Sequence, residues 1–412
     1  MPNIQAISAT YSEVDRLSVG SLDSVIYQGL IKTLARGKKG AGRLTLEQSY
    51  QLVRGYELGY GTIAQLSAAL MLMRVRGESA DEVAGVVLAI ADSIDTDWGT
   101  IGVTLDWPCY AGKRNQLPYL LLCAKVLAKQ GHRILLHGDS RLSTQRYHIG
   151  SMLGEIGITQ VSTPLDAKAA LDMQGLCYVN ADSLSPLADV FAGIHQQMGV
   201  RSLYQTAIRC VNPARANLCI RSYFHSGLDE LHRQVAERLN HYLLPSTTLI
   251  FKGYQGESEI NPRCETLLTI TEPAINRQIA NRQTTHRQIT LPTALSMLVG
   301  KLPSQAQLCP SWLKVIEQNI EPHRDCNETK RAQYAIVTTL TAILLLQSSR
   351  LSVSEAVDKA GRLWRSYQYS QLNNQPQLSS QAGAGLMPDV NVREKINAKQ
   401  QSSAYVEGKC GS

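Results

Sequence analysis

The sequence predicts an α/β fold preceded by a small helical domain, and three observations predict it. From Val19 to Ile94 apolar positions recur at helical spacing behind capping residues. After Gly99 short apolar segments alternate with helical ones, the order expected of α/β architecture. The 412 residues are 44% hydrophobic, enough to bury a sizeable core.

The organisation read from these patterns is an N-terminal arm over 1–18, a helical domain over 19–98 with a later helical contribution near 184–200, an α/β domain over 99–370, and a disordered tail over 371–412. In the helical domain "TLEQSYQLVRGYELG" opens at Thr45 with Gln48 three places on, the spacing of a capping box. The segments "TIAQLSAALMLMRVRG" and "SADEVAGVVLAIADSI" begin in a similar way. Their apolar content exceeds the needs of one hairpin, so a homodimer contact through this domain is expected, around "LSAALMLMRV". In the second domain "HRILLHG", "GLCYVN", "NLCIRSYF" and "TTLIFKG" read as buried strands, separated by helices such as "PYLLLCAKVLAKQG" and "LDELHRQVAERLNHYL". The late apolar run "YAIVTTLTAILLLQ" is too short to cross a bilayer and reads as a buried helix, so no membrane partner is expected. Beyond Ser370 the composition turns to Gln, Asn, Ser and Gly.

A formal net charge of +7 favours polyanions without settling on one. Nine scattered cysteines with no CxxC spacing argue against a disulfide framework and a zinc site, and a reducing cytoplasm fits best. The opening "MPNIQAISATYSEVDR" has no apolar run of signal length, so export is not expected.

Four stretches carry a resemblance: "RLTLEQSYQLVRGYELGYGTIAQLSAALMLMRVRGESADEV", "LLHGDSRLST" with "GSMLGEIGI", "MGVRSLYQTAIRCVNPA" and "TLIFKGYQGESEINP". Together they resemble the anthranilate phosphoribosyltransferase family, whose fold is shared with pyrimidine nucleoside phosphorylases. The resemblance implies a helical domain hinged to a larger domain with a central, mostly parallel sheet, a homodimer through the helical domain, and phosphates bound in the cleft between the domains.

At that cleft the sequence departs from the family. Where the enzymes carry a phosphate loop with several glycines, "LDWPCYAGKRNQLPY" offers Gly112 alone, with Trp107, Pro108 and Tyr110 in place of open backbone. Lys113 and Arg114 in the same loop read either as a solvated turn or as two cations suited to single phosphates. Where the enzymes hold magnesium with an adjacent Asp-Glu pair, this chain has Ser258 and Glu259, and the neighbouring Glu257 is expected to point elsewhere. His195 falls where the enzymes place a substrate-gripping arginine and reads as a partly buried helix residue. "HGDSRLST" keeps His137, Gly138, Ser143 and Thr144 of a phosphate-holding loop, with Arg141 inside it; simple turn formation is the other reading.

The departures remove what phosphoribosyl transfer needs and keep cations that hold phosphates one at a time. They match a branch of the family that resembles the enzymes in fold and is described as nucleic-acid binding, with "DW-x-x-YAGKR" as its mark. The expectation is a non-catalytic, sequence-independent binder of DNA or RNA, without cofactor or metal. Its further candidate contacts are Arg36, Lys38, Lys39 and Arg43 in the flexible "LARGKKGAGR" loop, then Arg201, Arg209, Arg215, Arg221, Lys252 and Arg263. Tyr110, Tyr204 and Tyr223 are candidates to stack on unpaired bases. The rival is a working transferase or phosphorylase with another acceptor, and a third reading is a structural homologue with no ligand.

Overall fold

Side-chain caps decide where the N-terminal helices start. In the computed structural model, which describes residues 17–114, 116–139, 141, 146–274, 284–293, 312–317 and 327–373, helix α1 (Ser24–Leu34) begins where the Asp23 carboxylate accepts from the Ile26 N–H. Helices α2 (Leu46–Glu57), α3 (Ile63–Arg76) and α4 (Ala80–Asp92) each open on a complete capping box, Thr45 with Gln48, Thr62 with Gln65 and Ser79 with Glu82, so the starts read from the sequence are borne out. Helix α4 is buried along most of its length. Glu82 is tolerated there because its carboxylate also accepts from the Leu44 N–H and pairs with Arg76. Later residues, among them Phe191, Tyr204, Val235 and Leu239, complete the same core.

The basic segment expected to be a flexible loop instead closes into a single helical turn, Gly37–Gly40, tied down by the Gly42 N–H donating to the Thr33 carbonyl. Arg36 and Lys39 are exposed on it, while the Lys38 side chain lies outside what the structure describes.

Among the described residues nine strands form one sheet: β1 (Leu105–Cys109), β2 (Ile134–Gly138), β3 (Thr159–Val161), β4 (Leu176–Asn180), β5 (Leu218–Tyr223), β6 (Thr247–Tyr254), β7 (Glu257–Ile260), β8 (Thr266–Pro273) and β9 (Thr284–Leu291). Their order is β3-β4-β2-β1-β5-β6-β8-β9, with β7 paired to β6. The first six are parallel neighbours, and β6–β7, β6–β8 and β8–β9 are antiparallel. Helices α5 (Leu120–Lys129), α6 (Pro164–Gln174), α7 (Pro186–Met198) and α8 (Asp229–Tyr242) lie in the crossovers. The late apolar run forms α9 (Asn327–Gln347), which buries Ile336, Leu340 and Leu345 against the sheet, followed by α10 (Val353–Asn373). No helix among the described residues is long and apolar enough to cross a membrane.

All four strands read from the sequence are present, and β1 is a fifth where the sequence reads as loop. Pro108 cannot donate to a ladder, which argues against a central strand. The structure accommodates it by pairing β5 with β1 only at Leu105 and Asp106. Past that point the Ser258 hydroxyl donates to the Pro108 carbonyl at 2.5 Å, and the Trp107 indole N–H donates to the Ser258 carbonyl at 3.0 Å. Trp107 is therefore a core residue and the loop proper begins at Tyr110. The ends of β1 and β5 meet the helical domain, Tyr110 packing in its core and Tyr223 sharing a depression with Arg74, and ligands of open α/β sheets bind at such strand ends.

The packing of α2 on α4 makes a test. A Cβ on Gly85 would run into the Leu46 carbonyl oxygen, which is backbone and has little room to give. Gly85→Ala is expected to cost about 1–3 kcal/mol by forcing the two helices apart, despite its better helix propensity, as a lower urea midpoint would register.

Candidate anion-binding cleft

Two buried carboxylates of β7 organise the loop that follows β1. Glu259 ion-pairs with the Lys113 ammonium group, both side chains being fully buried, and accepts from the Leu120 N–H at 2.9 Å, which fixes the start of α5. Glu257 places one oxygen, Oε1, 2.5 Å from the Ala111 nitrogen and 2.6 Å from the Gly112 nitrogen, accepting from both. Consecutive N–H groups converging on one oxygen make an anion nest. Gly112 is needed there: its φ is +66°, and a Cβ would meet the Arg146 Cβ at 2.9 Å. The second oxygen of Glu257, Oε2, is buried without a hydrogen-bond partner among the described residues. Burial pushes the Glu257 carboxyl above the usual range, opposed chiefly by Arg209 and by the two loop N–H groups. Burial likewise pulls Lys113 and Glu259 toward their neutral forms, and each holds the other charged.

Several expected phosphate contacts are corrected by this arrangement. The sequence puts Lys113 at the cleft mouth, but it turns inward to Glu259 and lies 3.9 Å from the centre of the Tyr254 ring. Arg221 is buried against Asp106 at 2.7 Å. His137 is fully buried, 2.8 Å from the Tyr110 hydroxyl through Nδ1 and 3.1 Å from Asp106 through Nε2, so it presents no surface to a ligand. Gly138 ends β2 where a Cβ would strike the Cys109 carbonyl at 2.5 Å, a packing requirement. Arg141 is held by Asp139, Asp182 and Asp189, which offset its charge. Arg215 packs against Gly99 ahead of β5, at the opposite end of the sheet from Gly112. Arg43 donates to the Gly77 carbonyl in the helical domain and stays exposed. Tyr110, Tyr204 and Tyr223 are buried, so none offers a stacking face, whereas Phe224 next to Tyr223 is 40% exposed. Ser143 and Thr144 lie outside the described residues. Lys252 and Arg263 are exposed, Lys252 donating to the Ser226 hydroxyl. His195 is, as expected, a half-buried helix residue, its Nδ1 2.9 Å from the Val200 carbonyl.

What the fold does bring together is guanidinium groups. Burial and the neighbouring Arg201, Arg114 and Arg209 hold Arg146 below the usual arginine value. Burial and then Arg74 and Arg114 do the same to Arg201. Burial, partly offset by Glu257, lowers Arg209. Arg146 donates to the Ala111, Gly112 and Gln255 carbonyls and so ties the loop to the β6–β7 turn, while Arg209 donates to the Gly256 carbonyl of that turn at 3.1 Å. Arg74, Arg201 and Arg209 line one depression with Ser202, Gln205 and Phe224. Like charges held this close repel unless an anion sits between them.

The residues do not fit the magnesium that the family resemblance implies. Glu259 is engaged through both oxygens, an ammonium group stands beside it, and the Ser258 hydroxyl is spent on Pro108 with Ser222 3.0 Å away. Among the described residues no cluster of His, Cys, Asp or Glu could hold a metal.

Residues 28–94 match the model of the glycosyl transferase family helical bundle domain. The chain is 27% identical over 285 residues to anthranilate phosphoribosyltransferase of Pectobacterium carotovorum, an alignment covering 69% of this chain and 77% of that one. It is a distant homologue of these enzymes. Solved anthranilate phosphoribosyltransferases share its fold. That from Thermus thermophilus superposes with a TM-score of 0.61 at 17% identity over 85% of this chain and 97% of the other. That from Saccharomyces cerevisiae in complex with PRPP and Mg gives 0.61 at 14% identity over 84% and 95%. The helical bundle joined to a mixed, mostly parallel sheet is thus the architecture of these enzymes, as the sequence predicts.

Sequence reasoning missed Arg74, Arg146 and the role of Glu257. Neither arginine stands in a motif. Glu257 could have been found, because alternation along a strand puts it on the same face as Glu259, with Ser258 opposite.

A double-mutant cycle tests the buried pair. Lys113→Met and Glu259→Gln are each expected to lose about 3–5 kcal/mol by stranding a buried partner, and joint replacement by apolar residues should recover part of it in urea titrations.

Proposed function

We propose that the chain binds the phosphate backbone of nucleic acid along the arginine-lined cleft and does not transfer phosphoribosyl groups. The observation that carries this reading is the asymmetry of charge. The carboxylates of β7 are consumed inside the protein by Lys113 and by the Ala111–Gly112 nest. Arg114, Arg146, Arg201 and Arg209 crowd together around the same loop, and Arg74 is offset by Glu78. Phosphates strung along a backbone would neutralise such groups one by one. Phe224 supplies an exposed aromatic face beside them. The rival is an active transferase, supported by the distant homology to anthranilate phosphoribosyltransferases across most of the chain. Against it stand the ammonium group beside Glu259 and the filled nest.

The test is a titration of single strands across several salt concentrations. The logarithm of affinity is expected to fall linearly with the logarithm of salt, and Arg114→Ala with Arg201→Ala to make the slope shallower by roughly 0.7 per lost phosphate contact. Lys113, turned inward, is not expected to contribute. An unchanged slope, or saturable magnesium-dependent binding of phosphoribosyl pyrophosphate, would favour the transferase.

We further propose a homodimer through the helical domain. "LSAALMLMRV" turns Leu66, Leu70 and Met73 into the bundle's own core and leaves Val75 82% exposed. The packed pair α1 and α3 leaves Val25 76%, Ile26 43% and Ile63 41% exposed. Sedimentation at micromolar concentration should give a dimer mass that Ile26→Glu with Ile63→Glu shifts to monomer; a monomeric wild type would end the idea.

A further inference from the structure

We infer that Glu257 is a built-in anion that bars free phosphate and diphosphate from the Ala111–Gly112 nest, making it a specificity-determining residue of the cleft. Two N–H groups converge on a point beside Arg209 and Arg146, and the group that occupies the point is a carboxylate oxygen supplied by the chain itself. The backbone geometry is therefore that of an anion site, complete and already filled.

A structural latch alone is a poor account of it. A neutral side chain could accept from the same two N–H groups. The carboxylate leaves Oε2 buried and unpartnered, at the desolvation cost of a charged oxygen. That cost is sustained by the surrounding guanidinium groups, which would otherwise attract another anion into the same space. Being tethered to β7, the Glu257 carboxylate acts at an effective concentration no free phosphate in solution reaches. Small phosphates are thereby kept from the deepest part of the cleft, while the outer cations Arg114 and Arg201 stay available to a longer polyanion. This last step rests on the nucleic-acid reading; the exclusion itself does not.

The experiment is calorimetry with inorganic pyrophosphate alone, without metal, on the full chain, its Glu257→Ala variant and its Glu257→Gln variant. Ala opens the nest, and binding at least about ten-fold tighter than in wild type is expected, because a charge-assisted contact to two N–H groups replaces the lost carboxylate. Gln keeps an acceptor in place and removes the charge, so a smaller gain is expected; it serves as the test if the Ala variant does not fold. Amide resonances of Ala111 and Gly112 should shift with pyrophosphate in the variants and stay fixed in wild type. Pyrophosphate binding in a folded variant no tighter than in wild type overturns the inference, as do shifts of those two amides in wild type. Nucleic-acid titration of the wild type is read separately, so its failure would end the proposed function and leave this result standing.

Discussion

The buried ion pair between Lys113 and Glu259 is the constraint on which the cleft depends. Both side chains are out of water, where an uncompensated charge costs several kcal/mol. Neither can leave without stranding the other, so the loop after β1 is fixed to β7. Further ties follow from that anchor. Glu259 also fixes the start of α5, the Glu257 oxygen meets the two N–H groups of the loop, and Arg146 spans the carbonyls of the loop and of Gln255. Trp107 and Pro108 are joined to Ser258 one layer below. A loop tied at so many points presents fixed groups to whatever enters the cleft.

Local rules in the sequence determined much of the fold. The capping boxes at Thr45, Thr62 and Ser79 involve residues three apart, and the strands at 134–138, 176–180, 218–223 and 247–254 are each built round a short apolar run, 134–136, 176–179, 218–220 and 249–251. Both signals are legible without knowing what packs where. Strand β1 was not, because Pro108 argues against a ladder that its neighbours do not in fact ask it to complete.

The cleft was legible in type and not in assignment. That cations gather there follows from the charge and from "YAGKR". Which cations face the ligand depends on tertiary partners: Asp106 claims Arg221, three aspartates claim Arg141, and Glu259 claims Lys113. One part was recoverable. Lys113 pairs in a bridge with Tyr147, and adjacent residues of an extended segment face opposite ways, so an inward Lys113 entails an outward Arg114. The same alternation along β7 sends Glu257 and Glu259 to one side together.

The charges in this cleft also explain how an enzyme fold can hold a different arrangement with few changes. The crevice at the C-terminal ends of parallel strands is a consequence of topology and persists whatever lines it. The N–H nest is likewise backbone, set by a left-handed Gly112. What varies is which side chains meet them. An ammonium group beside Glu259 supplies positive charge where the homologous enzymes, by the family resemblance, use a metal ion, and a carboxylate at 257 supplies negative charge at the nest. With both demands met from within, the interior is electrically closed. The excess positive charge then belongs to the arginines around it, which with burial hold one another below the usual arginine value. A compact diphosphate would have to displace an internal partner to reach the nest. On the proposed function, an extended polyanion need only lie across the outer guanidinium groups, and on that reading length counts for more than charge density.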